Sequence, residues 1–170
     1  MGINERIAGS ENWFERAASH LPGYRGYKDK EVRREADKIQ RVYVAELLEQ
    51  SRAALDEVQL DLTRQGKLDV LALIDTVNRK LRTIRDRIQF ADYGYAGLFD
   101  ATKVDEEMLD QLYQFDIQLQ EEAGGIKELA QAIKADNPSL RSDIDLVEQR
   151  IDSLNSHFGE REHLITGAGR

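Results

Sequence analysis

The feature that most constrains this chain is the spacing of its apolar residues between positions 70 and 91. They recur in unbroken steps of four and three, the spacing of a coiled-coil seam: Val70, Ile74, Val77, Leu81, Ile84, Ile88 and Ala91. A helix with this pattern buries one long stripe against other helices. We therefore expect the rest of the chain to be arranged around this segment and the helix before it.

A second long stripe precedes the first. Apolar or small residues again share one helical face: Val32, Ala36, Ile39, Tyr43, Leu47, Ser51, Ala54, Val58 and Leu62. Gly66 separates the two stripes, and glycine readily supplies the left-handed conformation that ends a helix. Leu68 and Leu73 bracket Asp69 as a hydrophobic staple brackets an N-cap. These signals predict an antiparallel hairpin whose second helix is capped by Asp69.

Two further long helices follow. The third is expected to continue across Gly124 and Gly125, with its stripe at Val104, Met108, Leu112, Phe115, Leu119, Ile126, Leu129 and Ile133. The glycine pair has two interpretations, a close packing contact or a hinge. Asn137 and Pro138 form a helix-start signal. The last helix then steps by four and three until Gly159 ends it, through Leu140, Ile144, Val147, Ile151, Leu154 and Phe158.

Together these patterns predict an all-α protein, an antiparallel up-down bundle of four long helices with a shorter N-terminal helix packed on it. At 170 residues the chain is long enough for one domain with a sizeable core. Its expected parts are an N-terminal helix with a Gly/Tyr turn (1–28), three long helices (29–136), a last helix (137–159) and a tail (160–170).

Composition narrows the class of protein. The chain has no cysteine, which excludes disulfides and thiolate chemistry, and no apolar run long enough for a membrane span. Its start is too polar for a signal peptide. We therefore expect a soluble cytoplasmic protein. The net charge of -8 disfavours nucleic-acid binding, because phosphates need a positive surface.

The predicted hairpin brings basic and tyrosine-bearing segments to one end, because the start of its first helix and the end of its second must meet there. The candidate partner surface at this end consists of Tyr24, Arg25, Tyr27, Arg33, Arg34, Arg82, Arg85, Tyr93 and Tyr95. Such a surface can bind an acidic protein, phosphate or nucleic acid. The alternative is that interspersed acidic residues, such as Glu35, Asp37 and Asp86, neutralise it within the fold.

No motif points to catalysis, a cofactor or a small-molecule substrate. The string from Glu160 to His163 has the E-x-x-H spacing of di-iron bundles, but such a site needs two strings and two more glutamates. We therefore predict no metal site. The leading hypothesis is a non-enzymatic interaction or scaffold module with a protein partner. Self-association would use apolar residues beside the seams, namely Leu48, Leu55, Leu73 and Leu146.

One family resemblance supplies a further alternative. The opening Met1-Gly2-Ile3, an amphipathic first helix and a long hairpin resemble the phage-shock membrane-remodelling proteins. The resemblance implies action at a membrane surface. The chain departs from it in its N-terminal charge, because Arg6 and Arg16 are outnumbered by glutamates at positions 5, 11 and 15.

Overall fold

A computed structural model describes residues 30–91 and 106–167, with side chains from position 36 onward in the first range. Both ranges are helical and contain no strand, which confirms the all-α class. The helices are α1 (Lys30–Arg64), α2 (Leu68–Gln89), α3 (Glu106–Ala132) and α4 (Leu140–Gly167). The expected N-terminal helix lies outside the described residues.

The turn between α1 and α2 is built around Gly66, as expected. Its φ of 69° is left-handed, and the amide of Lys67 donates to the carbonyl of Leu62. This is the Schellman ending of a helix. The predicted staple and cap are wrong: α2 begins at Leu68, which is 70% exposed, and Asp69 lies inside the first turn. The Schellman bonds already complete the turn, so α2 begins directly after it.

The helices pack in neighbouring pairs. α1 contacts α2 and α3, and α4 contacts the same two helices, so α1 and α4 lie diagonally across the core. Nη1 of Arg41, near the start of α1, donates to the carbonyl of Gln89 at the end of α2 over 2.9 Å. At the opposite end, Nζ of Lys67 donates to the carbonyl of Ala135 over 2.8 Å. α2 therefore runs back along α1 from the Gly66 turn.

The core follows the predicted seam of α2 through six buried residues, from Val70 to Ile88. On α1 the predicted stripe is buried at Ala36, Leu47, Ser51, Val58 and Leu62. Ile39, Tyr43 and Ala54 are only partly buried, and the next positions, Gln40, Val44 and Leu55, are buried instead. Of the residues expected beside the seams, Leu48 and Leu55 are fully buried, Leu73 packs partly on the core, and Leu146 is 37% exposed. Most of the surface invoked for self-association is therefore consumed inside the fold.

The third helix is continuous across Gly124 and Gly125, as predicted. Among the described residues, a Cβ added at either position would meet nothing within 4 Å. A close packing contact within this part of the chain therefore does not explain the two glycines.

The last helix corrects two expectations. It starts at Leu140 rather than Pro138, because the carbonyl of Ser139 accepts the first helical bond, from the amide of Asp143. It also passes through Gly159 and includes most of the expected tail, ending at Gly167. The seam continues past the glycine at Arg161 and Ile165, both buried. Their contacts outweigh the roughly 1 kcal/mol that a glycine costs inside a helix.

Candidate functional site

The interior of the bundle contains a layer of charged and polar side chains near the end opposite the Gly66 turn. We call it the buried charge layer, and it consists of Asp37, Gln40, Arg41, Asp116 and Arg161. None is more than 5% exposed. Ala36, Leu112 and Ile165 are buried on its outer side and do not belong to the main apolar cluster. The layer therefore interrupts the core and does not cap it.

Arg161 is the centre of this layer. Its Nε lies 2.6 Å from Oδ1 of Asp116, and its Nη2 lies 2.8 Å from Oδ1 of Asp37. One guanidinium from α4 thus binds carboxylates from both α3 and α1. Arg41 approaches Asp37 from the other side, with Nε donating to Oδ2 over 2.8 Å.

Amides extend the layer around the core. Nε2 of Gln40 donates to the backbone carbonyl of Asp116 over 2.5 Å, and the side chain of Gln120 donates to Oε1 of Gln40. Because Arg41 also binds the carbonyl of Gln89, all four helices contribute to one polar network.

The electrostatics of the layer are balanced. Two arginines face two aspartates, so the charges sum to zero. Burial lowers the pKa of Arg161, but the charges of Asp116 and Asp37 outweigh it and raise that pKa above its ordinary value. Arg161 therefore stays cationic and acts as a fixed hydrogen-bond donor, not as a proton donor. Removing one member of such a buried pair typically costs about 3–5 kcal/mol.

Sequence reasoning missed this layer. The expected tail contains Arg161, Asp37 is expected on a self-neutralised surface, and the predicted stripe of the third helix contains Phe115 and not Asp116. The spacing of the apolar seams does indicate that positions 116 and 161 are buried. Continuing the steps of α4 beyond Phe158 leads to position 161, and stepping from Leu112 by four leads to position 116.

The candidate partner surface is only partly within the described residues. Tyr24, Arg25, Tyr27, Tyr93 and Tyr95 lie outside them, and only the backbone of Arg33 and Arg34 is described, in the first turn of α1.

Two arginines of this surface have described side chains. Arg82 is exposed and makes no hydrogen bond or ion pair within the described ranges. Arg85 lies 2.5 Å from Oε2 of Glu49 and 2.6 Å from Oδ1 of Asp86. The hydrogen bond from Arg52, joined by one from Arg85, lowers the pKa of Glu49. Neutralisation within the fold therefore holds for Arg85 and not for Arg82.

Other cations of α2 face acidic residues of α4. Nζ of Lys80 lies 2.8 Å from carboxylate oxygens of both Glu148 and Asp152. Arg87 contacts Glu162 and lies over the ring of Phe158, with Cζ 5.3 Å from the centroid. These contacts join α2 to α4 along their exposed edges.

The E-x-x-H string does not form a metal centre in the described part of the chain. Glu160 and His163 are exposed on α4, and Glu162 between them pairs with Arg87. Among the described residues no group of three potential ligands lies close enough to hold a metal ion.

A histidine–carboxylate pair joins α3 to α4 and was also missed from sequence. Nδ1 of His157 lies 2.5 Å from Oε1 of Glu122, and Gln118 contacts both side chains. A shallow groove adjoins Glu122, lined by Glu121, Gly125, Glu128, Leu129, Arg150 and Ser153. The pair and its groove lie on the surface of the bundle and are separate from the buried charge layer.

The chain matches no protein-family model, no curated protein and no solved structure. The resemblance to phage-shock proteins thus remains one of pattern. Within the described ranges, no helix is long and apolar enough to cross a membrane.

Proposed function

We propose that this protein is a non-enzymatic helical scaffold that binds a protein partner. In this proposal the four helices form an up-down bundle, the N-terminal segment adds a shorter helix, and the basic, tyrosine-rich end contacts the partner. The all-helical architecture of residues 30–91 and 106–167 supports the scaffold role.

The observation that carries the proposal is the state of the interior charges. Catalytic carboxylates are normally found in a cleft, where they can reach a substrate. The buried carboxylates of the described helices, Asp37 and Asp116, instead accept hydrogen bonds from Arg161. Charged groups in this position stabilise the arrangement of helices and have no access to a ligand.

The partner surface is proposed at the end where α1 begins and α2 ends. Arg82 is exposed there and unpaired within the described ranges, whereas Arg85 is held by Glu49 and Asp86. Arg33 and Arg34 lie in the first turn of α1, at the same end. An acidic protein fits this surface better than nucleic acid, since the whole chain carries a net charge of -8.

The test compares charge reversals at the two ends of the hairpin. Arg33→Glu, Arg34→Glu and Arg82→Glu are combined in one variant. The control is a single reversal at the other end of the hairpin, Arg64→Glu, at an exposed position beside the Gly66 turn. Tagged wild-type and variant proteins are crosslinked in extracts of the source cells, and captured proteins are quantified by mass spectrometry.

The expected result is an acidic protein captured by wild type and control and lost from the triple variant. Equal capture by all three proteins would overturn the proposed surface. Retention on anionic vesicles or on nucleic acid, with no protein captured, would overturn the choice of a protein partner.

A further inference from the structure

The apolar seams of this bundle cannot by themselves specify how its helices pair. The buried residues of α2 and α4 step by four and three along almost their whole length, from Val70 to Ile88 and from Leu140 to Phe158. Sliding one such helix by seven residues places apolar side chains against apolar side chains again. A seam of this kind therefore favours several registers almost equally.

The same ambiguity applies to the two hairpins, α1 with α2 and α3 with α4. Each offers the other a repeating apolar face.

The buried charge layer removes this ambiguity, because it can form in one arrangement only. Arg161 must lie opposite Asp37 on one hairpin and beside Asp116 on its own. A shift of one heptad between the hairpins would separate Asp37 from Arg161, while Arg41 and Asp116 kept their partners on their own hairpins. It would leave a guanidinium N–H and a carboxylate oxygen facing apolar residues, and such unsatisfied buried groups are unfavourable. The contact between Gln40 and the carbonyl of Asp116 fixes α1 against α3 at the same level.

We infer that the buried charge layer is a conformational device that sets the register in which the two hairpins pack against each other. It joins α1 to α4, which lie diagonally across the core, through the ion pair between Asp37 and Arg161. Single buried polar residues fix register and oligomeric state in coiled coils in the same way. The inference does not depend on the proposed partner surface.

The test removes the ion pair of the second hairpin from the full chain by changing Asp116→Leu and Arg161→Met together. Asp37 keeps its ion pair with Arg41. The chain has no cysteine, so two can be introduced for spin labels without interference. Exposed positions 64 and 136 suit the labels, since they flank the close contact between Lys67 and Ala135. Distances between the spin labels are measured by pulsed electron paramagnetic resonance, and molecular masses are measured by light scattering.

In the wild-type background we expect one narrow distance distribution and one mass. The apolar double variant is expected to gain a second distance population. A matched control removes one cation and one carboxylate from an exposed bridge: Lys80→Met and Asp152→Asn. The control is expected to keep the wild-type distance and mass.

A helical double variant with only the wild-type distance distribution would overturn the inference. So would a control that changes as much as the double variant, because the layer would then have no special role. If the double variant loses its helical signal, the neutral polar variant Asp116→Asn and Arg161→Gln takes its place. An unchanged distance distribution in that variant, or an equal change in the control, would again overturn the inference.

Discussion

The two ends of the bundle are stabilised by different interactions. Around the Gly66 turn the interior is apolar, with Leu55, Leu62 and Ile133 buried against the other helices. Near the opposite end, Arg161 and its carboxylates occupy positions of the same seams. The apolar end gains free energy in proportion to the area that it buries. The charged end gains little net free energy but tolerates one arrangement only.

This difference teaches that stability and specificity can be separated along a single set of helices. Apolar contacts are non-directional, so they stabilise the native register and shifted registers alike. Hydrogen bonds from a planar guanidinium are directional, and they penalise every register in which a carboxylate is missing. At the charged end, a second substitution should therefore restore the stability that a first one removes. At the apolar end it should not.

The largest effect is expected from Arg161→Met alone. The variant leaves Asp37 and Asp116 buried without their shared cation, and we expect the free energy of unfolding to fall by about 3–5 kcal/mol. Adding Asp116→Leu should restore most of that loss, because Asp37 keeps its ion pair with Arg41. Urea denaturation monitored by circular dichroism measures both changes.

A half-exposed arginine is the control for this prediction. Arg52 also binds two carboxylates, those of Glu49 and Asp56, but its side chain is 35% exposed. Arg52→Met should cost no more than about 1 kcal/mol. If Arg161→Met cost as little, the charge layer would not be buried as described.

A smaller loss in the free energy of unfolding is expected from a substitution at the apolar end. Leu55 is fully buried, and Leu55→Ala leaves a cavity that should cost about 3 kcal/mol. Unlike the loss at Arg161, it should not be recovered by removing a neighbouring side chain, since that would enlarge the cavity. Leu60→Ala on the same helix is the control, because Leu60 is 59% exposed. A similar loss in both variants would contradict the assignment of Leu55 to the core.

The apolar end was the part that the sequence made predictable. Strict spacing identified every buried residue of α2, and Gly66 marked the reversal. Periodicity works there because burial and apolar character coincide. The charged end violates this rule, because Asp116 and Arg161 occupy seam positions although they are charged. Apolar character alone therefore does not predict their burial.

Gly159 shows a second limit of sequence reasoning. A glycine after a run of apolar residues is a common helix ending, and the buried contacts of Arg161 that override it depend on partners distant in sequence. The partner of Arg161 on α1 is 124 positions away, a pairing that no local pattern shows. Of the candidate partner surface, only Arg82 and Arg85 can be compared with the structure, and just one of them is unpaired.

The smallest predicted effects distinguish two kinds of glycine. Gly124 lies inside α3 with open space beside it among the described residues, so Gly124→Ala should stabilise the protein by about 1 kcal/mol through helix propensity. Gly66 also has open space, but its φ of 69° is unfavourable for a residue with a Cβ, and Gly66→Ala should destabilise by about 1 kcal/mol. Urea midpoints of the two variants should therefore move in opposite directions. A loss of stability in Gly124→Ala would mean that a neighbour occupies the space beside α3, and the close-contact interpretation of that glycine would be restored.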